Sequence, residues 1–364
     1  MFEIAPAWTL ERILRGARKC AASDIHLVHG IAPALRIGGD IRLIEGEVLT
    51  KQTLCQLLDE IINERQRQIL ERDMQLCFSR QWEGIGRFRI SVYYHAGCPE
   101  MSIRLCETAV RSREELQLPG LADDVTRLPN GLVLVTGPTG MGKTTTLNYL
   151  VNTINRDRRA KIVTIEDPVE FVHENQRSIV VQQEVFTDTP SFRQALWHVL
   201  RQDPDVIVIG EMRDLETIAT ALTAAETGHL VLATLHTPDS VQTVQRIFSV
   251  FPPEQQFNIK YQLSNTIQTI ICQKLLPRAS GQGQILACEI CVATPAVRKH
   301  IREGSAHLIF SEIQLGRRYQ MQTMDSALLD LYQKGEITYD IALSNAREPD
   351  MIRHKNDRDD RDDV

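Results

Sequence analysis

Apolar and polar positions follow two different grammars along this chain, and the change falls near residue 119. Before it, short alternating stretches predict strands at 25–28, 34–37 and 41–44, broken by Gly30, Gly38, Gly39 and Gly46. Residues 50–71 read as one helix, with Leu54, Leu57, Leu58, Ile61 and Ile62 along one side. Residues 86–93 alternate strictly: Phe88, Ile90 and Val92 face one way, and Arg87, Arg89 and Ser91 the other. A further strand at 101–106 carries Arg104. Near the start, Trp8, Ile13, Leu14 and Ala17 mark the buried stripe of an amphipathic helix.

Residues 107–119 are polar and end in Pro119, which makes them a linker. They divide a first domain at 1–106 from a second at 120–346. In the second, apolar runs at 132–136, 161–166, 205–209 and 229–234 predict strands. Helical patterns at 142–156, 191–201, 214–226 and 240–247 separate them. Nearly continuous apolar strands between helices predict an α/β domain whose mainly parallel sheet is covered on both faces. Residues 253–270, 295–303 and 323–346 predict a helical C-terminal portion, and 347–364 a charged tail without fixed structure. There is no internal repeat.

Composition sharpens this picture at three points. The 364 residues are 43% hydrophobic and 24% charged, as in globular proteins with two ordinary domains. Net charge is -6, and much of it lies in Asp357, Asp359, Asp360, Asp362 and Asp363, so the body gives no bulk attraction for nucleic acid. No apolar run approaches the roughly 20 residues of a membrane span, and Glu11, Arg12 and Arg15 interrupt any signal sequence, so a cytoplasmic location is expected. Of eight cysteines only Cys288 and Cys291 have CxxC spacing. A structural zinc would want a second close pair, and Ile290 and Val292 make this stretch read as a buried strand instead.

The strongest chemical signal is Gly137-Pro138-Thr139-Gly140-Met141-Gly142-Lys143-Thr144, followed by Thr145, a full match to a phosphate-binding loop. Its context is right, with a strand before it and a helical stripe of Leu147, Leu150, Val151 and Ile154 after it. Glycines let backbone N–H groups wrap an anion, and the helix N-terminus adds unpaired donors. Lys143 would reach the β- and γ-phosphates of ATP, and the Thr144 hydroxyl would bind Mg²⁺. By residue usage such a match arises about once in a hundred chains of this length.

Ligands of open parallel sheets bind beyond the carboxyl ends of the strands. There the second domain offers Glu166 and Glu170 after one strand, Glu211 after another and His236 after a third. Hydrolysis needs one carboxylate for the Mg²⁺ shell and another to orient water. Glu211 fits the first role, while Glu170 and Glu166 compete for the second. His236, beside Thr234, is a γ-phosphate sensor candidate; His229, seven residues earlier on the opposite strand face, is equally a core histidine. Arg89 and Arg104 read either as solvated strand faces or as charge compensation at a nucleotide.

These segments resemble the secretion ATPases of type IV pili, in particular the retraction or twitching-motility branch, the PilT and PilU family. The resemblance runs from Ser23 to Thr338: SDIHL at 23–27, GPTGMGKTT at 137–145, TIEDPVEF at 164–171, DVIVIGEMRDLET at 205–217 and AAETGHLVLATLHT at 224–237. It implies a PAS-like N-terminal domain, a RecA-like ATPase domain, ATP and Mg²⁺ as ligands, and a homohexamer. It also implies an inner-membrane pilus platform protein as partner at the cytoplasmic face, with a paralogous retraction ATPase as a further one. By matching position Glu170 becomes the catalytic glutamate, Glu211 the acid of the third motif, Arg89 and Arg104 the arginines that approach the phosphates, and His229 and His236 the two histidines of the last motif. Two features depart from the retraction pattern: residues 296–303 read AVRKHIRE, with His300 at an apolar position, and 331–342 look more like PilU. Pilus-assembly and type II secretion ATPases share the core but usually carry a four-cysteine insertion that this chain lacks.

Overall fold

A computed structural model of the chain describes residues 8–107 and 109–353. Its contacts group into two units. The first comprises 1–109 together with Glu166–His173 and Gln182–Ser191; the second comprises Val110–Ile165, Glu174–Val181 and the remainder.

In the first unit six strands are β1 (Asp24–Leu27), β2 (Ala34–Ile37), β3 (Asp40–Leu43), β4 (Gln75–Trp82), β5 (Gly86–His95) and β6 (Cys98–Leu105). They form one antiparallel sheet in the order β3-β2-β1-β6-β5-β4. The alternation read in the sequence sets its faces: Phe88, Ile90 and Val92 are buried with Phe78, Met101 and Ile103. The helix Leu10–Lys19 adds Leu10, Ile13, Leu14 and Ala17 to this core, and the Thr9 hydroxyl accepts from Arg12 N–H at its start. The helix expected at 50–71 is two helices, Lys51–Asp59 and Glu64–Asp73. Asn63 breaks it, because its side chain caps Gln66 N–H while Gln66 caps Asn63 N–H in return, and this starts a new helix.

In the second unit lie β7 (Gly131–Thr136), β8 (Lys161–Glu166), β9 (Ile179–Glu184), β10 (Val206–Ile209), β11 (Leu230–Leu235), β12 (Ile267–Pro277) and β13 (Gln284–Val292). From Gln182 onward β9 belongs to the first unit, as does Glu166 at the end of β8. The sheet order is β13-β12-β7-β11-β10-β8-β9. β12, β7, β11, β10 and β8 run parallel, and β13 closes the edge antiparallel to β12. Every residue of β7, β10 and β11 is buried, which is why these segments read as unbroken apolar runs.

The C-terminal portion is less helical than its pattern suggests. The helix begun at Pro253 ends at Thr266, and the β-branched run Ile267, Thr269, Ile270 and Ile271 passes into β12. The stretch 323–346 is two helices, Met324–Gln333 and Tyr339–Asn345, parted at Gly335, whose φ is 71°. The linker stretch holds a short helix, Arg113–Leu116, opened by a Ser112–Glu115 capping box. Of the expected tail, residues 347–353 pack: Arg347 and Glu348 N–H groups donate to Asp325, and Ile352 is fully buried. Residues 354–364 lie outside the described residues.

Candidate functional site

The phosphate-binding loop connects β7 to the helix Lys143–Asp157. Gly137, Gly140 and Gly142 have φ of 142°, 82° and 79°. At Gly137 the need for glycine is also spatial, since a Cβ there would stand 2.5 Å from the Gln273 carbonyl oxygen of β12. Gln273 is itself fixed, its side-chain amide donating to Thr146 Oγ1 at 2.7 Å on the helix after the loop. Leu275 N–H donates to Met141 Sδ at 3.2 Å, so β12 backs the loop at a second point. Pro138, Thr139 and Gly140 form the exposed rim, and Thr144 and Thr145 open the helix beside Lys143.

Lys143 is 8% exposed, and its ammonium donates to the carbonyls of Gly137 and Pro138 at 2.7 and 2.9 Å. Burial lowers its pKa, against the opposing pull of Glu211. A cation partly stripped of water at a helix N-terminus is a strong attractor for a phosphate oxygen.

Strand order decides what faces the loop. β11 lies between β7 and β10, so His236 beyond β11 falls between the loop and Glu211 beyond β10. Contacts follow that order: Thr139 Oγ1 is 3.2 Å from His236 Nδ1, and His236 Nε2 is 2.9 Å from Glu211 Oε1. The other Glu211 oxygen pairs with Arg213 at 2.8 Å. Burial acts to raise the Glu211 pKa, but Arg213 and His236 outweigh it and the carboxyl sits below its ordinary value. The segment is pinned by Met212 N–H to Thr234 O at 3.0 Å and Thr234 Oγ1 to Gly210 O at 2.5 Å.

In the first unit, register sets Arg89 directly opposite Arg104 and Arg104 opposite Asp24. Two like charges abreast need answering carboxylates. Arg104 pairs with Asp24 at 2.9 Å and Arg89 with Glu170 at 2.9 Å. The arginine at 89 is held firmly protonated: burial works against its charge, and Cys77 and Glu170 outweigh that. Glu166 accepts from Gln182 Nε2 at 3.0 Å.

His229 is not brought to the loop. It precedes β11, where Leu230 pairs with Gly131, the first residue of β7, while the loop follows the last. The intervening strand of six residues spans about 20 Å. Its Nδ1 instead contacts Ala224 O at 2.9 Å and Thr227 Oγ1 at 3.1 Å. Cys288 and Cys291 are both buried on β13, three positions apart and so on opposite faces, which prevents their sharing a zinc ion.

Four further residues here, Arg213, Gln273, Arg87 and Glu184, are not among the candidate site residues of the sequence. Arg213 stands two residues past Glu211, a signal that could have been read; Gln273 and Glu184 sit among residues with no local mark of chemistry.

A family model described as "Type II/IV secretion system protein" matches residues 7–356. The chain is similar to the type IV pilus retraction ATPase PilT of Pseudomonas aeruginosa, 41% identical over 94% of this chain and 99% of the relative. It is 36% identical to the type IV pilus ATPase PilU of the same organism, over 94% of this chain and 90% of the relative. A crystal structure of the pilus retraction motor PilT with bound ADP superposes with a TM-score of 0.88 at 40% identity, covering 95% of this chain and 99% of that one.

Proposed function

The chain belongs to the type II/IV secretion system protein family, and from that premise we propose that it is a motor ATPase of pilus retraction, hydrolysing ATP to ADP and phosphate to drive pilus disassembly and twitching motility. The observation that carries this reading is the contact chain Thr139–His236–Glu211, which ties the phosphate loop to the ends of two neighbouring strands. A loop alone would bind nucleotide; a loop coupled to an ionised carboxylate can also turn it over.

The residues fit the ligands. Glycine at 137, where a Cβ would strike Gln273, leaves backbone N–H groups free to turn toward phosphate. Thr144 and Glu211 would hold Mg²⁺, an ion that takes one or two carboxylates, phosphate oxygens and several waters, and it would neutralise charge on the β- and γ-oxygens. Lys143 orients the same phosphates. His236, held between Thr139 and Glu211, senses the end of the triphosphate through the loop. Glu170, paired with Arg89 at 2.9 Å, would accept the proton of the attacking water. We assign Arg104 to charge compensation, with Asp24 orienting it.

The finer architecture goes with this assignment: a PAS-like N-terminal domain, a RecA-like ATPase domain, and a homohexamer working on a pilus platform protein at the inner membrane. Among the described residues no helix is long and apolar enough to cross a membrane, so membrane association would come through that partner. The balanced charge of the body argues against DNA as the cargo.

The test is ATPase activity of the purified protein beside Glu170→Gln and Lys143→Ala, with mass measured in solution. Turnover should fall at least a hundredfold in Glu170→Gln while ADP still binds, and binding itself should fail in Lys143→Ala, on the order of the losses seen when a catalytic base or phosphate ligand is removed. Turnover in Glu170→Gln equal to that of an active parent would remove Glu170 from this role, and a parent that binds ADP without turning ATP over would leave only a nucleotide-gated accessory subunit. In cells, loss of a retraction motor leaves surface pili without movement, whereas loss of an assembly motor leaves no pili.

A further inference from the structure

We propose that Glu184 and Arg87 are positioning residues for Glu170, acting by clamping the backbone of Val169 on both sides. The Glu184 carboxylate accepts from Val169 N–H at 3.0 Å, and Arg87 Nε donates to Val169 O at 2.6 Å. One peptide group on each side of Val169 is therefore fixed, and the second of them is the amide that leads into Glu170. The inference rests on Glu170 being the water-activating carboxylate.

The clamp is itself rigidly held. Glu184 is 3% exposed, and its two oxygens also accept from Ser79 N–H at 3.1 Å, from the Ser79 hydroxyl, from Thr187 Oγ1 at 2.8 Å and from Arg87 at 3.3 Å. A carboxylate has about four lone-pair sites, so these five donors saturate it. Arg87 reaches the Ser79 hydroxyl as well, closing a ring of Ser79, Glu184, Val169 and Arg87. Ser79 and Arg87 are carried by β4 and β5 and Glu184 by the end of β9, all within the first unit.

The same sheet grips Glu170 from a second side. Ser79 lies opposite Arg89 in the β4–β5 register, and Arg89 pairs with the Glu170 carboxylate. Backbone and side chain of the glutamate are thus referred to one strand pair. Misplacing a catalytic group by about 1 Å costs on the order of a hundredfold in rate without a comparable cost in binding. Burying a carboxylate costs desolvation free energy, which these five donors offset, and their geometry fixes the segment that carries the base.

The experiment is steady-state ATPase kinetics and ADP binding for Glu184→Gln, Glu170→Gln and the double variant. Gln keeps the volume but turns one oxygen into an NH₂ that cannot accept from the donors around it. Expected is a fall in kcat of at least tenfold in Glu184→Gln, with KM for ATP and Kd for ADP within twofold of the parent. In the Glu170→Gln background Glu184→Gln should add no further loss, because the group it positions is gone. A kcat within twofold of the parent, a parallel loss of ADP affinity, or losses that multiply in the double variant would each overturn the inference. If Glu184→Gln does not fold, Arg87→Lys, which keeps the charge and loses the Nε–H bond to Val169, carries the same test. Full turnover in Glu170→Gln would sink the Glu170 assignment itself; collapse there with full turnover in Glu184→Gln sinks only the clamp.

Discussion

Replacing Gly137 by alanine tests whether the loop is shaped by the strand behind it. At φ 142° an alanine pays for a backbone region that side-chain-bearing residues avoid, about 1–3 kcal/mol. Its Cβ would also meet the Gln273 carbonyl oxygen at 2.5 Å, well inside any normal contact. Gln273 cannot easily withdraw: it is fully buried, paired with Cys288 across β13, and tied through its amide to Thr146. Relief means losing one of those bonds, about 0.5–1.5 kcal/mol, or moving the loop. Together these give about 1.5–4.5 kcal/mol of destabilisation. Gly140→Ala is the matched control, because φ is 82° there and nothing lies within 4 Å of the added carbon, leaving only about 1–2 kcal/mol of backbone cost. Urea denaturation of both variants, with ADP titrated by calorimetry, separates the two contributions. Gly137→Ala should be the less stable by about 1.5 kcal/mol, the difference between the midpoints of the two ranges, and bind ADP at least tenfold more weakly, a change of about 1.4 kcal/mol. If it melts and binds like Gly140→Ala, the contact with β12 does not shape the loop.

Two pH experiments follow from buried groups elsewhere. Burial pulls the His173 imidazole from 6.5 down to about 4. Its folded form resists protonation, so its stabilising contribution is complete above pH 6.5 and is lost as pH falls toward 4, on the order of 3 kcal/mol in all. His173→Gln should flatten the fall in urea midpoint between pH 7 and 5; an unchanged slope would show that His173 is not the group responsible. Glu289 is 2% exposed, and burial raises its pKa despite two hydrogen bonds from Ser240. A raised carboxyl stabilises fully below about 4.5 and loses that contribution as pH rises through its folded value. Glu289→Gln should therefore gain stability relative to the parent from pH 4.5 to pH 8, and a difference that stays flat or runs the other way contradicts this.

Most of the nucleotide-facing half was legible because its physics is local. The glycine pattern, the strand before it and the helix after it are all written within 30 residues, and the buried strands announce themselves as apolar runs. Glu211 and His236 could be placed near the loop from the rule for parallel strand ends alone. Long-range pairing was not legible. Nothing beside Glu184 in sequence says that Ser79 and Arg87, about a hundred positions away, complete its shell. The same limit hid the partners of Arg89 and Arg104: alternation showed which face they occupy, but not that register sets them abreast or that Glu170 and Asp24 answer them. The helix Pro253–Thr266 was overrun because its polar pattern gives way to β12 without a glycine or proline to mark the change. His229 matches the last motif by position, while strand polarity sets it at the amino end of β11.

The chain passes between the two units five times, at Ala109, Ile165, His173, Val181 and Ser191. Chain order and the grouping of contacts therefore follow different borders. A fragment ending at residue 119 would hold Arg89 without Glu170, and Ser79 with Arg87 but without Glu184. Such a piece would lose the Arg89–Glu170 pair and the Glu184 bonds to Ser79 and Arg87, and should be less stable than a contiguous domain of its size. Truncation, or exchange of the N-terminal portion with a relative's, would leave Glu170 and Glu184 behind, and a swap that keeps these pairs takes 166–173 and 182–191 with it.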